Sequence, residues 1–256
     1  MKVIFLGSGT SVGVPSIGCS CPVCTSKDPR NKRMRASICV EAAGKSLVVD
    51  TSPDFRTQVL AQGIARVDAV IFTHSHADHI LGFDDIRRFN TIQNCIIPAY
   101  GSPHTIATMN RVFDYVHAEH VPGVFRPRVE FKEVVGPFDI GQAHIEPFSV
   151  THGPTFTYGY RIEAGNRTLG YFPDCREMPE SVIERLSGVD VMILDALRHK
   201  PHATHFSVEQ SVAILKRIKA GQSFITHMCH DVDHAQTEST LPDSVRIAYD
   251  GLALEW

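Results

Sequence analysis

The sequence predicts an α/β fold of mixed β-sheets covered by helices, on three observations. Short apolar runs rich in Val, Ile and Phe recur along the chain at strand length. The early runs follow one another across tight turns, and the later ones alternate with helical patterns. With 43% hydrophobic and 21% charged residues in 256, the chain can bury a sizeable core. It has no low-complexity run, fixed-period repeat or Pro/Ser linker, so a single domain over residues 1–256 is expected. A net charge of -3 excludes the global basic field that grips nucleic acid. No apolar stretch approaches the roughly 20 residues needed to span a bilayer. The opening MKVIFLGSG is too short for a secretion signal, and the cysteine count of 7 is odd. Reduced thiols, metal ligation and a cytoplasmic location are therefore expected.

Taken in order, KVIFLG from Lys2 to Gly7 is the first strand. GSGTSVG after it is a tight turn under the site and no dinucleotide fingerprint, because its third glycine comes too late and no matching acid follows. SICVEAAGKSLVVD reads as two strands about the turn AAGK. SPDFRTQVLAQG predicts a helix capped by Ser52, with Pro53 at its first position and a stop at Gly63. VDAVIF is a strand, and HADHILGFDDIRRF a short helix. The stretch from Asn94 to Phe131, with Tyr100, Phe113, Tyr115 and Phe125, suggests packing or a lid beside the site. AHIEPFSVTH and TYGYRIEAGNRTLGYFPD add strands, the latter broken at AGNR, and PESVIERLSG adds a short helix. VDVMILDAL and SFITHM are strands around the helix FSVEQSVAILKRIKAG. That helix has Ser207 and Gln210 at capping-box spacing and Val208, Val212, Leu215 and Ile218 on one face.

The chemistry concentrates in HSHADH. His74, His76, Asp78 and His79 are borderline ligands that bind zinc, manganese or iron at neutral pH. His74 and His76 lie on an extended segment, Asp78 and His79 at a helix start, and two ligands on each suit two adjacent metals. Gly82 lets backbone pack closely behind them. His152, Asp174 and His227 each close a later apolar run. A dinuclear site needs a carboxylate whose two oxygens can bridge, and Asp174 is the natural choice. Water between two divalent cations loses a proton near neutral pH and becomes a nucleophile. Asp50 closes SLVVD, where it either orients a ligand histidine or caps the strand end, and Asp195 closes VMILD in the same way. Arg87 and Arg88 either contact a phosphate or pair with Asp84 and Asp85. Cys19, Cys21 and Cys24 in CSCPVC are one ligand short of a closed tetrahedral site and one too many for a disulfide.

The H-x-H-x-D-H motif, followed by a later His, Asp and His, resembles the metallo-β-lactamase superfamily. The resemblance implies an αββα sandwich with two mixed sheets face to face, helices outside, and two metals at one edge. It assigns His74, His76 and His152 to one metal, Asp78, His79 and His227 to the other, and Asp174 between them. GSGTSVGVPSIGCSCPVC, FPDC, HATHFS and THMCHD together are similar to the PhnP-type phosphodiesterases, which hydrolyse cyclic phosphates of ribose. That likeness implies a catalytic His205 in RHKPHATHFS, where His199 and His202 read as solvated loop histidines. It also implies a structural zinc on Cys19, Cys21, Cys24 and His230, with Cys229 as rival donor, and a homodimer. The expected activity is metal-dependent hydrolysis of a small cyclic phosphodiester, with Asp78, Asp174 and His205 as the catalytic residues. An RNA-processing nuclease of the tRNase Z kind would want a basic arm, which residues 94–131 do not supply, so nucleic acid is not the expected partner. A non-catalytic accessory protein of cofactor biosynthesis would have lost ligands, and all seven are present.

Overall fold

The structure is a computed structural model that describes residues 1–118 and 123–256. In the first sheet, β1 (Lys2–Gly7), β2 (Ser37–Ala42) and β3 (Lys45–Val49) form the expected antiparallel meander. After α1 (Pro22–Thr25) and α2 (Phe55–Ala61), which lie in the connections, come β4 (Ala69–Ile71), α3 (Ala77–Ile80), α4 (Ile86–Gln93), β5 (Ile97–Gly101), α5 (Pro103–Val112) and β6 (Val129–Glu133). These strands extend the sheet in parallel from β3. The second sheet runs from β7 (Phe138–Ile140) through β8 (Ala143–His152), β9 (Thr155–Ala164) and β10 (Arg167–Phe172), all antiparallel. After α6 (Glu180–Arg185) it continues in parallel with β11 (Val191–Asp195), α7 (Val208–Ile218), β12 (Gln222–Thr226), α8 (His234–Glu238) and β13 (Val245–Ile247). A final strand, β14 (Ala253–Glu255), returns to pair with β1, making two seven-stranded sheets.

The period of two along each strand explains the layers. Val3 and Phe5, Ile38 and Val40, Leu47 and Val49 point into the core shared with Leu169, Tyr171, Val191 and Ile193 of the second sheet. Their neighbours Ile4, Leu6, Cys39 and Val48 face α2, α4 and α5 through Phe55, Val59, Phe89 and Met109. On the far side Met192 and Leu194 meet Val182, Ile183, Leu215 and Ile218 of α6 and α7. Each fully buried aliphatic or aromatic side chain contributes about 1.5–3 kcal/mol, so both faces of both sheets are committed and the αββα order follows. Among the described residues no helix is long and apolar enough to cross a membrane.

Two local expectations are corrected, and a third is resolved as packing. The helix expected from Ser52 and Pro53 begins only at Phe55, because Ser52 Oγ accepts from Asp54 N and turns its own hydroxyl to Gln58, so it serves a turn before the helix. HADHILGFDDIRRF is broken into one turn of α3, a 3₁₀ turn at Phe83–Asp85 and α4. Gly82 sits at the break, where a Cβ would lie 2.0 Å from the Ser52 carbonyl oxygen. The stretch from Asn94 to Phe131 is mostly sheet and helix, with Tyr100 and Phe113 buried in the two cores of the first sheet. It lies in part outside the described residues. Phe125 is exposed and lines a separate cavity with Arg87 and Arg128.

Strand direction places the chemistry. Asp50 follows β3, His74 follows β4, Asp174 follows β10, Asp195 ends β11 and His227 follows β12, all at the carboxyl ends of parallel-paired strands. Asp50 and His227 both adopt positive φ, 65° and 61°. For residues with side chains this costs about 1–3 kcal/mol each and persists only where surrounding contacts impose it.

Candidate metal centre

Those strand ends converge on one cluster. His74 Nε2 lies 2.8 Å from His76 Nδ1, and their ligand atoms group with His152. Asp78, His79 and His227 form a second group, and His74, His79 and Asp174 a third that joins the two. The Asp174 carboxylate stands between them: Oδ2 is 3.1 Å from His79 Nε2, while Oδ1 is 3.3 Å from His227 Nε2 and 3.7 Å from His152 Nε2.

The second nitrogen of several rings is held from behind. His79 Nδ1 donates to Asp50 Oδ2 at 2.7 Å, and the same carboxylate accepts from Thr73 N and Oγ1. His152 Nδ1 donates to the Thr204 carbonyl at 2.8 Å. His205 Nδ1 lies 2.8 Å from Asp195 Oδ2, which also accepts from Cys175 N. Such outer hydrogen bonds fix tautomer and ring direction, leaving Nε2 to point inward.

Electrostatics favour a cation at the cluster. Burial opposes ionisation of Asp174 and Asp78, yet the histidines around them hold both carboxyls below the usual range. Burial pushes the imidazoles of His74 well down and of His152 to about 4, so both are neutral with lone pairs available. His79, buried but faced by Asp174, Asp78 and Asp50, is raised well above its ordinary value. Three carboxylates converge on that ring and call for positive charge. Both ring nitrogens of the buried His227 have no hydrogen-bond partner, and His79 Nε2 and Asp174 Oδ2 make their 3.1 Å ion-pair contact without hydrogen-bond geometry. At about 1–3 kcal/mol per orphaned group, this arrangement is costly unless a ligand engages them. Imidazole and carboxylate donors at these spacings fit divalent cations.

A cavity of about 330 Å³ opens over the cluster. Ser11, Thr155, His202 and Thr204 also line it; the turn bearing Ser11 was expected under the site, but none of the four was read as a site residue. His202 is corrected from a solvated loop residue to a wall of the site, a position its place three residues before His205 already hinted at. His199 instead meets Thr237 Oγ1 at 3.2 Å. Arg87 pairs with Asp84 at 3.1 Å. A larger cavity of about 730 Å³ lies by the β2–β3 turn, where Lys2 pairs with Glu41 while Lys45 and Arg66 pair with Asp68.

The cysteine loop finds its fourth donor in His230, whose Nδ1 lies 3.1 Å from Cys19 Sγ, 3.5 Å from Cys24 Sγ and 3.7 Å from Cys21 Sγ. Cys229 is turned away, its sulfur accepting from Asp231 N. A hydrogen bond from Cys24 N brings the Cys21 thiol down to about 7, while burial pushes Cys24 up to about 11. Three sulfurs and one imidazole in mutual reach are the donor set of a closed tetrahedral zinc site.

Residues 45–228 match the Beta-lactamase superfamily domain. The chain belongs to the metallo-β-lactamase superfamily. Within it, the chain is similar over 100% of its length to 97% of a solved PhnP-family diphosphatase, at 41% identity and a TM-score of 0.91. It is also 31% identical over 227 residues to coenzyme PQQ synthesis protein B of Methylorubrum populi, covering 76% of this chain and 72% of that protein. An octanoyltransferase of Porphyromonas gingivalis is 33% identical over 258 residues, 98% of this chain. This metallo-β-lactamase chain spans about half of that relative, 51% of its length.

Proposed function

We propose that this protein is a metal-dependent hydrolase of a small phosphodiester, such as a ribosyl cyclic phosphate. His74, His76 and His152 would hold one divalent cation, manganese or zinc, and Asp78, His79 and His227 the other, with Asp174 shared. Cys19, Cys21, Cys24 and His230 would hold a structural zinc. The observation that carries the reading is Asp174, whose carboxylate lies within 3.7 Å of His152 of one group and closer still to His79 and His227 of the other. When bound, the two cations supply Lewis-acid charge for phosphoryl oxygens and lower the pKa of water. The chain's own residues do the rest. Asp50 and the Thr204 carbonyl aim His79 and His152. Burial raises the Asp195 carboxyl and lowers the His205 imidazole, so this pair resists separate charges. It keeps one proton between Oδ2 and Nδ1 and exchanges a second at Nε2 with the leaving oxygen.

The motifs shared with PhnP-type enzymes and the 41% identity to a PhnP-family diphosphatase support phosphoryl chemistry. That relative also favours a second substrate class, the phosphoanhydride of a diphosphate, which the same residues could serve. The test is hydrolysis of bis(p-nitrophenyl) phosphate by manganese- or zinc-loaded protein, followed by a ribose cyclic phosphate, 2′,3′- and 3′,5′-cyclic nucleotides and a nucleoside diphosphate ester. Metal-dependent turnover of the diesters is expected. Turnover of the diphosphate alone selects the second class, and no turnover of any overturns both.

A further inference from the structure

The loop before α7 builds more than His205. Thr204 N donates to His202 Nδ1 at 3.3 Å, with Thr204 Oγ1 at 3.1 Å from the same nitrogen. A backbone N–H can only donate, so Nδ1 is the acceptor and the ring proton sits on Nε2. Burial, helped by His205 and Arg198, lowers the imidazole pKa and favours this neutral form. Neither nitrogen then offers a lone pair to a cation, and Nε2–H is left as a donor. The ring lies 5.4 Å from that of His205, on the wall of the cavity.

Its position is set in advance. Thr204 gives its carbonyl to His152, and its Cγ2 occupies the space 2.5 Å from where a Cβ on Gly153 would stand, so the loop is docked on the β8–β9 turn. Among the described residues lining this cavity none is lysine or arginine; besides histidines, the side-chain donors are the hydroxyls of Ser11, Thr155 and Thr204. A phosphoryl oxygen in other sites is met by a cationic side chain. Here the donors on the wall are imidazole N–H groups and hydroxyls.

We infer that His202 is a substrate-binding residue that donates a hydrogen bond from Nε2 to a phosphoryl oxygen, which rests on the phosphoryl-substrate reading above. It confers affinity, while His205 serves the chemical step.

The test uses manganese-loaded wild type, His202→Ala, His202→Gln and His205→Ala. It measures kcat and KM on bis(p-nitrophenyl) phosphate, affinity for inorganic phosphate by calorimetry, and bound metal. His202→Ala should raise KM and the phosphate Kd about tenfold, the scale of one hydrogen bond to a charged group, with kcat within about twofold and bound metal unchanged. His202→Gln, which keeps an N–H donor, should recover most of that affinity, and His205→Ala should lose kcat instead. A purely structural role would lower kcat and bound metal together, since Thr204 also holds His152, and would overturn the inference. So would unchanged KM and phosphate affinity in His202→Ala, or no phosphate binding by wild type. If wild type binds phosphate yet turns over no phosphoryl substrate, the functional reading fails while the phosphate affinities still decide the role of His202.

Discussion

The His/Asp cluster and the Cys₃His cluster are only three residues apart in the chain at His227 and His230, yet they are built in opposite ways. The first gathers side chains from the carboxyl ends of strands, mixes imidazoles with carboxylates, and lies under a cavity. Carboxylates or a carbonyl hold its rings from behind. The second draws three thiols from one short loop and one imidazole more than 200 residues later, with no carboxylate in the set. A closed set of soft donors staples chain to chain, whereas an open set backed by carboxylates leaves room for a substrate. The two are joined through backbone: Met228 N donates to the Ser8 carbonyl and Thr10 N to the Met228 carbonyl, so the loop bearing Ser11 rests on the segment that carries both histidines.

This contrast predicts which variants should separate activity from stapling. Asp174→Asn should have the largest effect. With one oxygen lost between two groups of histidines, kcat should fall by about a thousandfold or more, and metal analysis should show depletion at the open cluster with the thiol-bound zinc retained. Cys21→Ser should do the reverse. It should lose about one equivalent of zinc and lower Tm by about 5–10 °C, at about 2–4 °C per kcal/mol for a chain of this size. Unchanged zinc content and Tm would remove the staple from the account. His205→Ala should cut kcat by about a hundredfold or more with both metal inventories intact, as steady-state kinetics and elemental analysis would show. Asp50→Asn, which loosens the His79 ring without touching a thiol, should weaken active-site metal binding by about 10–100-fold in a chelator competition. Equal loss of structural zinc in that variant would mean that the two clusters are not independent.

Legibility in the sequence followed the same divide. H-x-H-x-D-H is contiguous, and its later partners each close a strand-like run, so both the strands and the ligands they deliver could be read together. β2, β3 and β11 were likewise visible as short apolar runs, because both faces of these strands are largely buried. What escaped depends on tertiary contact. β5 carries Pro98, which a strand pattern does not advertise, and β7, β13 and β14 are only three residues long. Ser11, Thr155 and His202 belong to the cavity only because the loops that carry them dock beside one another. Ser52 looked like a helix cap in isolation. The close approach of its carbonyl to Gly82 and its bond to Gln58 put it to another use.

Metal stoichiometry before and after chelation, read alongside phosphodiester turnover, tests the division most directly. Treatment with a chelator should strip about two equivalents together with the activity, leave one zinc on the thiols, and allow manganese to restore turnover. Turnover that survives the loss of those two equivalents, or a protein that never binds more than one metal, would contradict it.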